Sequence, residues 1–189
     1  MDREQFWALI EAAKTATGGD CQAQAGQLVA ALTDRSVDEA LAWDRIYGEL
    51  MAESYRWELW GAAFLINGGC GDDGFDYFRG WLLGQGQATW QAALAAPDSL
   101  ADHPEVRGRR PLEERSDPLE CDDMLYIAYD AYQALTDQEL TVEVAGRQPR
   151  PPRPDLGDRW NFEDATQMRA RYPRLYAVCG WEDASSTPP

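Results

Sequence analysis

The chain has 189 residues and is strongly acidic, because 33 Asp and Glu outnumber 17 Lys and Arg and give a formal net charge of −16. A composition of 44% hydrophobic and 26% charged residues is typical of a folded globular protein and excludes a disordered or collagen-like chain. Nucleic acids and anionic membranes bind clustered positive charge, so the acidic excess predicts that neither is a partner.

The sequence also predicts a cytoplasmic location. No apolar run approaches the roughly 18 to 20 residues that a membrane-spanning helix needs, and the opening segment Met1–Gln5 is acidic where a secretory signal is basic. The four cysteines, Cys21, Cys70, Cys121 and Cys179, are widely spaced and include no Cys-x-x-Cys pair. With His103 as the single imidazole, this pattern excludes a zinc finger, and we expect free and mostly buried thiols.

Three helices are predicted in the first third of the chain. Asp2 can cap the first, whose apolar residues recur at spacings of three and four until Thr17-Gly18-Gly19. The second starts near Asp20 and ends around Asp34-Arg35. Ser36-Val37-Asp38-Glu39 matches a capping box and opens a third helix that continues to Tyr55.

The central stretch predicts three more helices. Trp57–Ile66 is nearly all apolar and indicates a helix buried on most sides, which Asn67-Gly68-Gly69 ends. Asp72 or Asp73 can cap the next helix, which runs to Gly84-Gln85-Gly86. A further helix covers about 87–95 and stops before Pro97.

The second half has more proline and fewer regular patterns. Residues 97–117 predict a polar surface loop, and Asp117-Pro118-Leu119-Glu120 predicts the start of a helix that ends at Thr136-Asp137. Thr141–Val144 is the one strand-like alternation. The Pro/Arg-rich residues 145–158 cannot be helical and predict an extended polyproline strap, followed by a helix over about 164–171 that Asp164 can cap.

The expected architecture is therefore all-α: a single globular domain of about seven or eight helices with an irregular C-terminal strap. We predict a helical domain over 1–144, a strap over 145–158, a C-terminal helix packing on the domain within 159–183, and a frayed tail over 184–189. Residues 145–189 carry 6 acidic and 7 basic residues, so this segment is the natural partner of the acidic body.

One segment resembles a known family. From Trp60 to Leu82 the chain reads W-G-A-A-F-L-I-N-G-G-C-G-D-D-G-F-D-Y-F-R-G-W-L, which is similar to the core of the DUF4240 domain, a bacterial family of uncharacterised function. The opening F-W-x-L-I at Phe6–Ile10 and the segment Ala93–Leu100 extend the resemblance, which covers roughly Met1 to Leu140. It implies a compact helical domain and brings no established catalytic residues.

The first candidate site lies between residues 67 and 79. Asn67, Asp72, Asp73 and Asp76 offer side-chain oxygens near a glycine-rich turn, and the three aspartates could bind a hard divalent cation. Two aspartates at a helix start are also what capping and the helix dipole favour, and a ligand or partner contact is a third interpretation. Asp76 and Arg79 have the spacing of an intrahelical salt bridge, while an anion clamp is the alternative for Arg79. The turn lacks the lysine of a nucleotide-binding loop.

Two further sets of residues attract attention. The acidic run at Glu113, Glu114, Asp117, Glu120, Asp122 and Asp123 could support acid–base chemistry if apolar groups surround it, or it could be a solvated helix start. Tyr126 and Tyr129 are predicted to share a stripe with Tyr132, and aromatic residues are useful in ligand pockets, partner interfaces and ordinary cores alike. The sequence contains no Gly-x-Ser-x-Gly motif and no convincing serine or cysteine triad.

These observations lead to two functional hypotheses. The first is a non-enzymatic acidic binding or interaction domain, whose partner is a basic protein or a small molecule. The alternative is an enzyme or metal-dependent protein that uses Asp72, Asp73 and Asp76 with Glu58 or Glu120 beside an aromatic pocket. No cofactor is predicted. If the protein binds one, the aspartate pattern favours a divalent cation.

Overall fold

The computed structural model describes residues 1–108, 117–141, 144–145, 156, 160–179 and 181, and these residues contain helices and no β-strand. The all-α prediction is confirmed. In chain order the α-helices are α1 Arg3–Thr17, α2 Cys21–Thr33, α3 Val37–Glu53, α4 Trp57–Asn67, α5 Asp72–Gly84, α6 Gln87–Ala95, α7 Pro104–Arg107, α8 Ile127–Thr136, α9 Ala165–Arg171 and α10 Pro173–Val178, with 3₁₀ helices at Pro97–Asp102 and Asp123–Leu125. None of the described helices is both long and apolar enough to cross a membrane.

Local signals in the sequence set several of the helix boundaries. The side chains of Asp2, Ser36 and Asp164 cap α1, α3 and α9 by accepting hydrogen bonds from first-turn amides, as predicted. Gly68 ends α4 with a φ of 77°, a left-handed conformation that glycine adopts without steric cost.

The interior is built largely from aromatic and long aliphatic side chains. Helix α2 packs against α1 and α8, α8 packs against α3, and α5 packs against α6. The largest side chains with almost no exposure are Trp43, Trp90, Phe6, Phe75 and Phe78. Each such side chain stabilises the fold by about 1.5–3 kcal/mol relative to an exposed one.

The C-terminal helices are held on this body by bonds to its backbone and side chains. The Tyr172 hydroxyl donates to the carbonyl oxygen of Glu58 in α4 at 2.8 Å, and a Cβ atom at Gly61 would collide with that hydroxyl. Asp98 accepts a hydrogen bond of 2.9 Å from the amide of Leu175 at the start of α10. These contacts fix the segment after residue 160 against α4.

The helix predicted to start at Asp117-Pro118-Leu119-Glu120 begins instead at Ile127, so that prediction is wrong. The backbone of this segment bonds to distant groups: the side chain of Asn67 bonds Leu119, and the amide of Cys121 donates to the carbonyl oxygen of Tyr77 at 2.9 Å. Tertiary contacts therefore override a local capping signal.

A disulfide joins Cys21 and Cys121, which contradicts the expectation that all four cysteines are free. Their Cα atoms lie 5.9 Å apart, within the range that a disulfide bridges. The bond connects the start of α2 to the segment before α8 across a sequence separation of 100 residues, which no local pattern reveals. Cys70 and Cys179 take no part in a disulfide.

Residues 97–102 and 104–107 are helical where the sequence predicts a polar loop. The 3₁₀ helix Pro97–Asp102 and α7 place Leu100, Ala101 and Val106 in the core. The predictions for residues 109–116, for the strand-like pair 142–143, and for most of the strap and all of the tail lie outside the described residues.

Candidate functional site

A cavity of about 520 Å³ lies between α4 and the residues just before α9. Five of the eight described residues that line it are aromatic, and we term it the aromatic pocket: Trp57, Trp60, Phe64, Cys70, Trp160, Asn161, Phe162 and Glu163. The three aromatic residues from α4 follow each other at spacings of three and four, which places them on one side of the helix.

Trp60 connects the pocket to the core. Its ring lies on Phe75 with the centroids 4.7 Å apart and an angle of 10° between the planes, and Trp57 stacks on Trp60 at 5.1 Å. The indole Nε1 of Trp60 donates to the carbonyl oxygen of Cys70 at 2.9 Å. This stack holds the half-buried Trp57 in a fixed orientation at the pocket wall.

The opposite wall comes from the C-terminal segment. Phe162 lies 5.6 Å from Trp57 at 75° and 5.7 Å from Trp160 at 70°, measured between ring centroids and planes. Trp160 is 8% exposed, and among the described residues no group accepts a hydrogen bond from its buried Nε1. The guanidinium of Arg171 in α9 lies 4.0 Å from the Trp160 ring centroid. Walls that meet at such steep angles can surround a compact group.

The thiol of Cys70 is the one cysteine group in the pocket lining, and it is protonated at neutral pH. Burial, followed by the nearby carboxylate of Glu120, raises the pKa of Cys70 to about 12. Burial and then Asp122 also raise the pKa of Glu120, whose Oε1 lies 3.0 Å from where a Cβ atom at Gly74 would stand. Cys70 therefore contributes no charge to the pocket.

The residues predicted as a site between 67 and 79 have separate roles. Asn67 bonds the backbone of Leu119 twice, accepting from its amide at 2.9 Å and donating to its carbonyl oxygen at 3.4 Å. Asp72 and Asp73 are exposed in the first turn of α5, and Gly71 is the N-cap residue with no side-chain cap bond. The predicted capping by an aspartate side chain is wrong, although the helix dipole still favours both carboxylates there.

Asp76 and Arg79 form the intrahelical ion pair that their spacing predicts. Arg79 is 4% exposed and donates to the carbonyl oxygen of Met51 and, at 3.3 Å, to the hydroxyl of Ser54. Burial lowers the pKa of Arg79. Its Nε and the hydroxyl of Tyr47 are buried and make no hydrogen bond to any described part of the chain. Arg79 thus joins α5 to the end of α3, which is a structural role.

The predicted tyrosine stripe is divided by the late start of α8. Tyr126 precedes the helix as its N-cap residue and is 51% exposed, whereas Tyr129 is half-buried and Tyr132 is buried. Neither Tyr126 nor Tyr129 lines the aromatic pocket.

The carboxylates of the enzyme hypothesis differ in exposure, and those of Asp76 and Glu120 are partly buried. Glu58 is exposed at the start of α4, and Asp72 and Asp73 are exposed at the start of α5. Glu113 and Glu114 lie outside the described residues. Within the part of the chain that the structure describes, no three His, Cys, Asp or Glu side chains are grouped so that they could hold a metal ion.

The sequence interpretation missed the residues that form the pocket. Two signals for them were present: Trp57, Trp60 and Phe64 share one face of a predicted helix, and Trp160 and Phe162 alternate with polar residues directly after the proline-rich segment. Nothing in the sequence shows that these two groups meet.

Comparisons with known proteins identify a family for most of the chain. The family model described as a protein of unknown function, DUF4240, matches residues 1–134. No curated protein and no solved structure matches the chain. The family match includes the α4 wall of the aromatic pocket and ends before the wall formed by residues 160–163.

Proposed function

The chain belongs to the DUF4240 family, whose function is unknown, and from this premise we propose that it is a non-enzymatic binding domain. It receives the cationic group of a basic protein partner or of a small molecule in the aromatic pocket. The single observation that carries this proposal is the convergence of five aromatic residues and one carboxylate on a cavity of about 520 Å³.

The size and lining of the cavity support a binding role. Ligand pockets typically have volumes of about 300–1,000 Å³ and are lined mainly by apolar and aromatic side chains with a few polar groups. Phe162 stands at steep angles to both Trp57 and Trp160, so a bound group would meet ring surfaces from several directions.

Charge supports a cation as the bound group. Among the described lining residues, Glu163 is the one with a formal charge at neutral pH, because the thiol of Cys70 is protonated. The electron-rich face of an aromatic ring attracts a cation within about 6 Å of its centroid. The net charge of −16 adds a long-range attraction for basic partners.

The same lining argues for binding rather than catalysis. Nucleophilic catalysis needs a nucleophile and a base within hydrogen-bonding distance, with the nucleophile activated. In the pocket the candidate nucleophile is Cys70. Its raised pKa keeps it in the unreactive thiol form at neutral pH.

We further propose that the protein acts in the cytoplasm of a bacterium; the organism class rests on the family. Two of the four cysteines, Cys70 and Cys179, form no disulfide, whereas small secreted domains typically depend on several disulfides. The Cys21–Cys121 disulfide points the other way, because disulfides are rare in the cytoplasm. Fractionation of intact cells decides between the two: we expect the protein in the cytoplasmic fraction, and recovery from the periplasm or medium would contradict this location.

Titration with defined cations tests the binding site. We expect choline or agmatine to quench the pocket tryptophans saturably, and the variants Trp57→Ala and Phe162→Ala to weaken binding about tenfold or more. Tyr126→Ala is the matched control because Tyr126 is an exposed aromatic residue outside the pocket. Circular dichroism verifies that each variant is folded. If folded Trp57→Ala and Phe162→Ala bind both cations as wild type does, the pocket is not the site.

A further inference from the structure

The aromatic pocket has few hydrogen-bond acceptors to offer a ligand. The side-chain oxygen of Asn161 accepts from the amide of Glu163 at 3.0 Å, and the carbonyl oxygen of Cys70 accepts from Trp60 Nε1 at 2.9 Å. Trp160 Nε1, which has no hydrogen-bond partner among the residues that the structure describes, is a donor. Among the described lining residues this leaves the carboxylate of Glu163, which is exposed, as the acceptor with most capacity.

This shortage distinguishes between kinds of cation. A primary ammonium has three N–H donors and a guanidinium has five, and each donor that loses water without gaining an acceptor carries a free-energy cost. A quaternary ammonium has no N–H group, so aromatic walls can replace its weakly held water at no such cost. Its methyl groups also pack against ring faces.

We therefore infer that the aromatic pocket binds a trimethylammonium group in preference to a primary ammonium or a guanidinium. The inference rests on the proposed function and deepens it, because it names the chemical class of the ligand. Phe162 and Trp57 supply the perpendicular walls, and Glu163 supplies the countercharge at the edge of the pocket. Arg171 already covers one face of Trp160, so the bound cation lies nearer to Trp57 and Phe162.

The carrier of the group is a cation without an adjoining anion. A phosphocholine headgroup would bring a phosphate close to Glu163 and to a protein of net charge −16, which disfavours it. Free choline and an Nε-trimethyllysine side chain both satisfy the charge requirement, and they correspond to a small-molecule and a protein source.

Three probes of the same length isolate the group that is recognised. Choline, ethanolamine and the neutral isostere of choline share a hydroxyethyl chain and differ in ending in trimethylammonium, ammonium or tert-butyl. Isothermal titration against the full chain should give a choline affinity at least about tenfold above that of either analogue. A trimethyllysine peptide titrated beside choline identifies the source, and preferential binding of either supports the inference.

Variants at the pocket edge provide an independent readout. Glu163→Gln should weaken choline binding by about threefold to tenfold and leave the neutral isostere unchanged. Glu4→Gln removes an exposed carboxylate from α1 and makes the same change in net charge, so it serves as the matched control. Equal losses in the two variants would mean that overall charge, and not Glu163, is responsible.

The possible failures are distinguishable. If ethanolamine or agmatine binds in the pocket as tightly as choline, the inference is overturned and the proposed function stands. If the neutral isostere binds as tightly as choline, the pocket does not recognise positive charge. That result would contradict both the inference and the proposed cationic partner. If no cation binds, the proposed function itself fails.

Discussion

Asn67 and Leu119 are bonded to each other twice, although 52 residues separate them in the sequence. The Asn67 side chain accepts from the Leu119 amide at 2.9 Å and donates to the Leu119 carbonyl oxygen at 3.4 Å, in the way that one strand of a sheet bonds its neighbour. One side chain therefore holds the segment before α8 against the end of α4.

Replacing Asn67 should destabilise the fold without affecting a ligand. We expect Asn67→Ala to lower the free energy of unfolding by about 1–3 kcal/mol, because the Leu119 amide and carbonyl lose their partner. Urea denaturation followed by circular dichroism measures the loss. Gln133→Ala, at an exposed position in α8, should change stability by less than about 0.5 kcal/mol. Equal stability of the two variants would contradict the role given to Asn67.

Gly80 should be intolerant of any side chain. A Cβ atom there would lie 2.3 Å from the carbonyl oxygen of Cys121, whose amide is itself bonded to Tyr77. We expect Gly80→Ala to cost about 1–3 kcal/mol or more, because backbone must move. Gly48→Ala is the matched control, since Gly48 also lies within a helix and has open space at its Cβ position. That control should be neutral or stabilise by about 0.5–1 kcal/mol. A melting temperature of Gly80→Ala at or above that of Gly48→Ala would contradict the close approach.

The buried ion pair should matter far more than an exposed one. The side chain of Arg79 is 5% exposed and that of Arg45, which pairs with Glu49, is 59% exposed. We expect Arg79→Ala to cost about 3–5 kcal/mol, because the change removes a buried side chain that bonds the end of α3 and leaves the partly buried Asp76 without its countercharge. Arg45→Ala should cost about 0.3–0.5 kcal/mol. Comparable urea midpoints for the two variants would show that Arg79 is not a structural link.

Cys70 should react slowly with alkylating agents at physiological pH. Because burial raises its pKa to about 12, the reactive thiolate is scarce until the solution is strongly alkaline. In a Cys179→Ser background we expect iodoacetamide at pH 8 to label Cys70 at least about tenfold more slowly in the folded protein than in urea. The folded-state rate should keep increasing above pH 10. The raised pKa also makes folding stability depend on pH. Above the pKa of the unfolded thiol, the unfolded chain loses this proton and the native protein keeps it, so the contribution of Cys70 to the free energy of unfolding is lost as pH rises. A labelling rate that levels off below pH 10 would contradict the raised pKa.

Arg171 should oppose binding of a second cation in the aromatic pocket. Its guanidinium lies 4.0 Å from the centroid of Trp160, so we expect Arg171→Gln to raise choline affinity by about twofold to fivefold. Arg169→Gln in the same helix is the control, because Arg169 lies over Tyr176, which does not line the pocket, and the net charge changes equally. Titration of both variants checks this, and a larger gain from Arg169→Gln would place the cation elsewhere.

The helices of the first half could be predicted because their signals are local. Asp2, Ser36 and Gly68 each act within one turn of their own position, and the structure follows them. The start of α8 could not be predicted, since Asn67 and Cys21 hold its preceding segment from distant parts of the chain. Local patterns report on neighbours in sequence and carry little information about such contacts.

The candidate site depends even more on contacts between distant parts of the chain, which local sequence patterns do not reveal. The acidic and glycine-rich residues from 67 to 79 attract attention because their chemistry is concentrated in one stretch, and two of them, Asn67 and Arg79, connect helices to distant segments. The aromatic pocket combines α4 with residues about a hundred positions later, and its identity depends on Tyr172 and Asp98 bringing that segment into place. Composition indicated many aromatic residues, and geometry was needed to show where they meet.

The bond between Cys21 and Cys121 makes most of the helical body part of a covalent ring. Hydrolysis of any one peptide bond within that ring opens it without dividing the protein into two. A chain cut once between these cysteines keeps its full mass on a gel run without reductant and separates into two fragments only when reductant is added. Proteolytic damage to α2 through α7 is thus concealed by a single linkage, and the pieces stay close enough to reassociate.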